Sequence, residues 1–199
     1  REVTPIEVAH FPLTDEAAAK SLRGIRALPE GTAFDVILVD EARSDPGRHL
    51  LVTLDQHGFY LRESWYGLLH QVTYLSGPAE LPFEPIEAVY EGGIMLASIA
   101  LPEAQVTPGG AVRVALEWQT QAGIQDSYKV FVHLAGPDGV IIAQRDAVPG
   151  NGLYPMTGWQ PGISVFGRFA ITLPPDAPPG RYEVRVGIYH PDLGLRLPV

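Results

Sequence analysis

Cysteine is absent from this chain of 199 residues, and so is any long apolar segment. Without thiols the chain can form no disulfide framework, no thiolate metal site and no cysteine nucleophile. No run of 18 apolar residues occurs, so the sequence contains no candidate transmembrane helix. The hydrophobic content of 46% is nevertheless enough for a substantial core.

Basic residues are scarce, since 14 lysines and arginines stand against 23 aspartates and glutamates, a formal net charge of −9. An acidic chain without a basic cluster repels phosphate backbones, so we expect no nucleic-acid partner. Glycine (21) and proline (19) are frequent, and both favour many turns over long helices.

Catalytic and cofactor motifs are also missing. The sequence has no Gly-x-Ser-x-Gly elbow, no phosphate-binding glycine loop and no histidine pair with metal-ligand spacing, so we expect no metal and no cofactor. A glycoside hydrolase would need two carboxylates across a groove. The candidates on or near predicted strands are Glu117, Asp126, Asp138 and Asp146. Asp138 fits the role of a turn residue in a Pro-Asp-Gly turn better than a catalytic role. A hydrolase with such a carboxylate pair is one of three functional hypotheses for this chain.

Residues 1–77 predict a small α/β domain. Phe34–Val39 is a nearly unbroken apolar run, as expected of a strand that is covered on both faces. Together with the helix and strand that follow, it predicts a βαβ unit. The predicted elements are a helix over 14–25, strands over 34–39, 59–65 and 68–75, and a helix over 46–57 that begins with Asp45 as N-cap and Pro46 as its first residue.

Residues 78–85 contain three prolines and predict a linker. Beyond it the apolar residues alternate with a period of two, and turn signals such as Pro161-Gly162 separate the segments. Residues 86–199 therefore predict an antiparallel β-sandwich of immunoglobulin-like or jelly-roll type, and the whole chain predicts an α+β fold. The apolar sets are Val112, Val114, Leu116 and Trp118; Tyr128, Val130, Val132 and Leu134; Val165, Phe169, Ile171 and Leu173; and Tyr182, Val184, Val186 and Ile188.

Aromatic residues supply the candidate binding groups. Tyr154 and Trp159 lie in the segment YPMTGWQPG, where exposed rings at the rim of a sandwich could stack on sugars, with Asp146 as a further candidate ligand. The competing interpretation is that Trp159 closes the end of the core, and we favour it. Trp65 and Tyr66 are expected to pack between the two halves of the chain.

A longer pattern carries a resemblance. The run YKVFVHLAGPDGVIIAQRD, the segment PGNGLYPMTGWQPG and the run LPPDAPPGRYEVRVGIYHPDLGLRLP resemble the C-terminal module of bacterial multi-pass membrane glycosyltransferases. These enzymes are similar to dolichyl-phosphate-mannose-protein mannosyltransferases and the wider ArnT-like group. The resemblance covers most of residues 34–198. It transfers no catalytic residue, because the family's catalytic carboxylate lies in a loop between membrane helices.

The resemblance implies a non-catalytic accessory domain on the extracytoplasmic face of a bacterial membrane. Its expected partners are a glycan or lipid-linked sugar and the membrane domain of the same polypeptide. The chain begins at Arg1 without a methionine, so we expect a segment of a longer protein. The alternative is an independent carbohydrate-binding or adhesion β-sandwich protein of the cell envelope, secreted as a free chain.

Overall fold

The computed structural model describes residues 23–45 and 47–199, and strands dominate them. Residues 23–26 are helical, whereas the rest of the predicted helix over 14–25 lies outside the described residues. The strands are β1 (Ala33–Val39), β2 (Gly58–Tyr66), β3 (Leu69–Ser76), β4 (Glu84–Tyr90), β5 (Ile94–Ala100), β6 (Ala111–Thr120), β7 (Lys129–Ala135), β8 (Ile141–Ala147), β9 (Val165–Thr172), β10 (Glu183–His190) and β11 (Leu195–Arg196). The helices are α1 (Glu41–Ser44) and α2 (His49–Asp55), and the 3-10 segments are η1 (Pro149–Gly152) and η2 (Met156–Gly158).

The strands form two sheets. A seven-stranded sheet has the order β1-β3-β2-β9-β6-β5-β4, and a four-stranded sheet has the order β11-β10-β7-β8. The seven-stranded sheet includes strands from both halves of the chain, because β2 pairs with β9 in parallel through Tyr60 and Phe169. The fold is thus β-rich with two sheets, as the alternating sequence predicted.

The first half has the strand–helix–strand order of the predicted βαβ unit, but another strand lies between its two strands. β3 lies between β1 and β2 and is antiparallel to both, so β1 and β2 are parallel to each other without being neighbours. The physical reason is the short turn at Gly67-Leu68, which folds β3 directly back onto β2. In the described residues α2 begins at His49, later than predicted, and Pro46 lies outside them. The N-cap residue of α2 is Arg48, so the prediction that Asp45 is the N-cap is wrong. The Asp45 carboxylate nevertheless accepts the Leu50 N–H, a donor of the first turn of α2, at 3.0 Å.

The prediction that Phe34–Val39 is covered on both faces is wrong. β1 is at one end of the seven-stranded sheet, and its residues alternate between buried and exposed. Phe34, Val36 and Leu38 pack against α2, whereas Ile37 and Val39 are exposed on the opposite face. The segment is apolar on both faces, but within residues 23–45 and 47–199 a helix covers only one of them.

The main core lies between the two sheets and confirms the predicted inward faces. Val114, Leu116 and Trp118 of β6 meet Val130 and Val132 of β7 in one buried cluster. Members of the two remaining predicted sets, such as Phe169, Ile171, Val184 and Ile188, pack in or against the same cluster. No helix of the described residues is long and apolar enough to cross a bilayer.

The two halves of the chain meet along β2 and the β6–β9 pair. Phe59 packs with Ala100, Ala115 and Ala170 in a small apolar cluster that Phe83 also contacts. Trp65 and Tyr66 do not take part, because they lie at the exposed end of the β2–β3 hairpin, so the expectation for these two rings is wrong. β4 begins at Glu84, inside the segment 78–85. The boundaries of the domains 1–77 and 86–199 stay a prediction.

Arg113 adds a polar connection between the halves. This buried arginine of β6 donates to the carbonyl of Ser76 at 2.7 Å and to Glu30 at 2.6 Å, both in the first half. It also pairs with Glu103, which accepts the Arg113 backbone N–H at 3.1 Å. One guanidinium therefore ties three segments together.

Candidate functional site

Trp159 is a core residue. Only 4% of its surface is exposed, and the indole packs in the cluster between the two sheets. Its Nε1–H donates to the carbonyl of Tyr154 at 3.0 Å, so the polar end of the ring is satisfied inside the protein. A ring so enclosed has no free face for a sugar, which agrees with the expectation that Trp159 closes the end of the core.

The side chains of the other two predicted sugar ligands, Tyr154 and Asp146, lie in different surroundings from the Trp159 ring. Tyr154 is half-buried, and burial raises the pKa of its hydroxyl. Asp146 lies on the outer face of the four-stranded sheet, where it accepts a hydrogen bond from Tyr189 at 3.2 Å. Its carboxylate is also 3.9 Å from Nε2 of His133. The three predicted sugar ligands thus do not share one exposed groove.

The structure instead brings together a polar cluster around Asp55, the last residue of α2. This carboxylate is 4% exposed and accepts hydrogen bonds from Tyr74 at 3.0 Å and Asn151 at 2.9 Å. Burial raises the pKa of Asp55 from an ordinary value of 3.8 to about 7, against the effect of these hydrogen bonds and of the nearby Arg145. The group therefore titrates near neutral pH.

Arg145 of β8 connects this cluster to the sandwich. It donates to the side-chain oxygen of Asn151 at 3.1 Å, and its guanidinium lies 4.0 Å from the ring centroid of Tyr60. Burial raises the pKa of the Tyr60 hydroxyl to about 12, so the phenol stays neutral. Because Asp55 and Tyr60 belong to the first half and Asn151 and Arg145 to the second, the cluster is a second polar connection between the halves.

A histidine lies next to the cluster, on the helix-covered face of β3. His70 is buried, and its two ring nitrogens face two carboxylates. Nδ1 contacts Glu41 of α1, and Nε2 lies 2.9 Å from Glu63 of β2. Trp65 stacks on the imidazole with 3.8 Å between ring centroids and 6° between planes. Both nitrogens and one ring face are therefore held in place.

These groups have the chemistry of an acid–base site, but the space beside them is too small for a substrate. Asp55, Glu63 and His70 line one cleft whose volume is about 10 Å³. Such a volume accommodates roughly one water molecule. A carboxylic acid that titrates near neutral pH can serve as a general acid or base, but only where a substrate reaches it. Here Asp55 stabilises the junction of the two halves.

Sequence reasoning missed Asp55 and its partners. Asn151 is far from Asp55 in sequence, and no motif joins them. One signal was present, because a carboxylate in the last turn of a helix opposes the helix dipole and needs a compensating partner. That signal marks Asp55 as unusual without identifying the partner.

Two of the carboxylates that the sequence suggested, Glu117 and Asp138, have structural roles. Glu117 accepts hydrogen bonds from Ser98 at 2.6 Å and Ser164 at 2.7 Å, which hold its pKa below the usual range. Asp138 accepts the Val140 N–H at 3.0 Å and so stabilises its turn, as predicted. Among the described residues no cluster of His, Asp and Glu is arranged to hold a metal ion.

Comparison with known proteins identifies no relative of this chain. No protein-family model, no curated protein and no solved structure matches the chain.

Proposed function

We propose that this chain is a non-catalytic, extracytoplasmic accessory domain of a membrane glycosyltransferase, which positions a glycan or an acceptor. One observation carries the non-catalytic part. The carboxyl with the pKa best suited to acid–base work, Asp55, lies in a cleft of about 10 Å³ and is bonded to Tyr74 and Asn151. The sequence resemblance supports the choice of parent enzyme.

Glycoside chemistry sets a spatial requirement that this cleft does not meet. Two carboxyl groups must flank the scissile bond, about 5 to 9.5 Å apart, with the sugar between them. Asp55 and Glu63 line the same cleft, but its volume suits a water molecule rather than a pyranose ring. The arrangement favours binding or positioning by other surfaces of the chain.

We also propose that the two sheets form an immunoglobulin-like or jelly-roll sandwich. Two sheets that enclose one apolar core support an immunoglobulin-like or jelly-roll sandwich. In such a sandwich the outer faces and end loops remain free for partners. An extracytoplasmic domain with this construction could hold a glycan, a lipid-linked sugar or the membrane domain of its own polypeptide.

The proposal is tested on the complete gene product. We expect the reading frame before Arg1 to encode several apolar spans, and the full protein to transfer sugar in membrane vesicles. Deleting residues 34–199 should reduce transfer, whereas Asp55→Asn should leave the turnover of the full protein unchanged. A reading frame without such spans, or a turnover that Asp55→Asn abolishes, would contradict the proposal.

A free-standing carbohydrate-binding or adhesion protein is the second candidate. Burial of Trp159 removes the ring on which the sequence had based it. An exposed tryptophan elsewhere, Trp65, still favours sugar binding. A secretory signal directly before Arg1, in place of membrane spans, would favour this candidate over the accessory domain.

A further inference from the structure

An open groove lies beside the tip of the β2–β3 hairpin. Its volume is about 400 Å³, within the range of small-molecule sites and far larger than the cleft at Asp55. Residues of α1 and of the turns on either side of it form one wall, and the hairpin forms the other. The side chains that matter for recognition are Asp40, Glu41, Asp45, Arg48, Trp65 and Leu68.

Trp65 offers a fixed aromatic surface in this groove. The residue is 56% exposed, and one face of its indole lies on His70. Glu41 and Glu63 hold both nitrogens of that histidine, so the imidazole is a rigid support. The other face of the indole is left for a ligand, and its orientation is set before a ligand arrives.

Polar groups converge on the same space. One oxygen of Glu41 faces His70, and the other lies 3.0 Å from Nε of Arg48. Asp40 and Arg48 both have left-handed backbone conformations, with φ of 50° and 52°. Such conformations are costly for an arginine, and they concentrate at binding and catalytic sites.

We infer that this groove binds a pyranose ring of a glycan. The inference rests on the proposed function and assigns its binding site. The apolar C–H face of a pyranose packs on Trp65, while its hydroxyl groups hydrogen-bond to Glu41, Asp40 and Arg48. The carboxylates of Asp40, Glu41 and Asp45 outnumber the single guanidinium of Arg48, so the groove disfavours anions. The ligand is therefore a neutral or amino-substituted sugar rather than an acidic sugar or a phosphate.

Intrinsic fluorescence provides a direct assay. The chain has three tryptophans, and Trp118 and Trp159 are only 1% and 4% exposed. Quenching by acrylamide therefore reports mainly on Trp65. We expect methyl glycosides of glucose, mannose, galactose or N-acetylglucosamine to protect Trp65 at concentrations on the order of 1 mM. Methyl glucuronide should protect it far less, because the groove is acidic.

Variants separate the groove from the rest of the hairpin. Trp65→Ala should weaken sugar binding about tenfold, measured by ligand-observed NMR, which corresponds to roughly 1.4 kcal/mol. Trp65→Tyr should retain part of the affinity because the aromatic surface remains. Tyr66→Ala is the matched control, since Tyr66 is equally exposed on the same hairpin but lies on the other face of the sheet. Its sugar affinity should equal that of the parent.

Three other outcomes would each overturn the inference, and the measurements distinguish them from one another. If a glycan binds equally well to Trp65→Ala, the site is wrong and the proposed function stands. If the parent binds none of these sugars, the groove is not a pyranose site, and sugar transfer by the full protein decides the function separately. If phosphatidylcholine vesicles protect Trp65 from acrylamide, and Tyr66→Ala abolishes that protection, the hairpin contacts a lipid surface instead.

Discussion

Trp159 and Trp65 belong to the two halves of the chain and have opposite environments. Trp159 is enclosed between the sheets with its N–H bonded to Tyr154, whereas Trp65 lies exposed at a hairpin tip and stacks on His70. Proline-rich turns surround the first, and a glycine turn follows the second. The difference teaches that a tryptophan near a turn becomes a binding group only where the turn projects beyond the core.

The strongest test of this comparison is Trp159→Ala. Removing a buried tryptophan loses its packing and leaves a cavity, so we expect a loss of about 3–5 kcal/mol in the free energy of unfolding. The melting temperature should fall markedly, and urea denaturation should give the free energy. A variant that melts like the parent while glycan binding disappears would reverse the roles assigned to the two rings.

The connection between the halves is tested at Arg113. Arg113→Met keeps the apolar stem but leaves Glu103 without the guanidinium that pairs with it. Breaking a buried ion pair in this way costs about 3 kcal/mol. Chemical denaturation should show that loss, and Arg185→Met, an exposed arginine paired with Glu183, serves as the control. Equal stability of the two variants would mean that Arg113 does not hold the halves together.

Asp55 predicts a pH dependence of stability. Its folded pKa of about 7 exceeds its ordinary value of 3.8, so the folded state binds the proton more tightly than the unfolded state between these values. The contribution of Asp55 is complete below pH 3.8 and is lost as pH rises through about 7. Its slope is at most roughly 1.4 kcal/mol per pH unit.

The measurement is the unfolding free energy of the parent and of Asp55→Asn at several pH values from 4 to 8. The difference between the two proteins isolates Asp55 from other titrating groups. The parent should lose stability relative to the variant as pH rises. A difference that does not change with pH would show that Asp55 is ionised throughout this range.

The smallest effect on stability is expected for Trp65→Ala. More than half of this side chain is exposed, and surface substitutions usually change stability by about 0.5 kcal/mol or less. The melting temperature of the variant should stay close to that of the parent, whereas its affinity for sugar should be lower. A large loss of stability would instead indicate that the stack on His70 is structural.

The β-rich fold with two sheets could be predicted from sequence because its signal is local. In a strand such as β6, Val114, Leu116 and Trp118 alternate with residues on the other face, and the prolines and glycines between strands mark the turns. Trp159 was also interpreted correctly from its setting. In these cases the contacts that determine the structure follow from the alternation of apolar residues along one strand or from the residues of one turn.

The rest depended on contacts between distant segments. The insertion of β3 between β1 and β2 follows from pairing choices that apolar content does not encode. The exposed face of β1 looked buried because Ile37 and Val39 are apolar, but no layer in the described part of the chain covers them. The Asp55–Asn151 bond and the stack of Trp65 on His70 likewise require the assembled sheet.

The parallel pairing of β2 with β9 has a consequence for protein synthesis. β2 is synthesised well before β9, the strand that pairs with its second edge at Tyr60. Until then the growing chain carries an open strand edge next to Phe59, and such edges recruit other unfolded chains. We expect nascent chains that stop before Val165 to be degraded by proteases faster than chains that include β9, and to depend on a holding chaperone until β9 emerges.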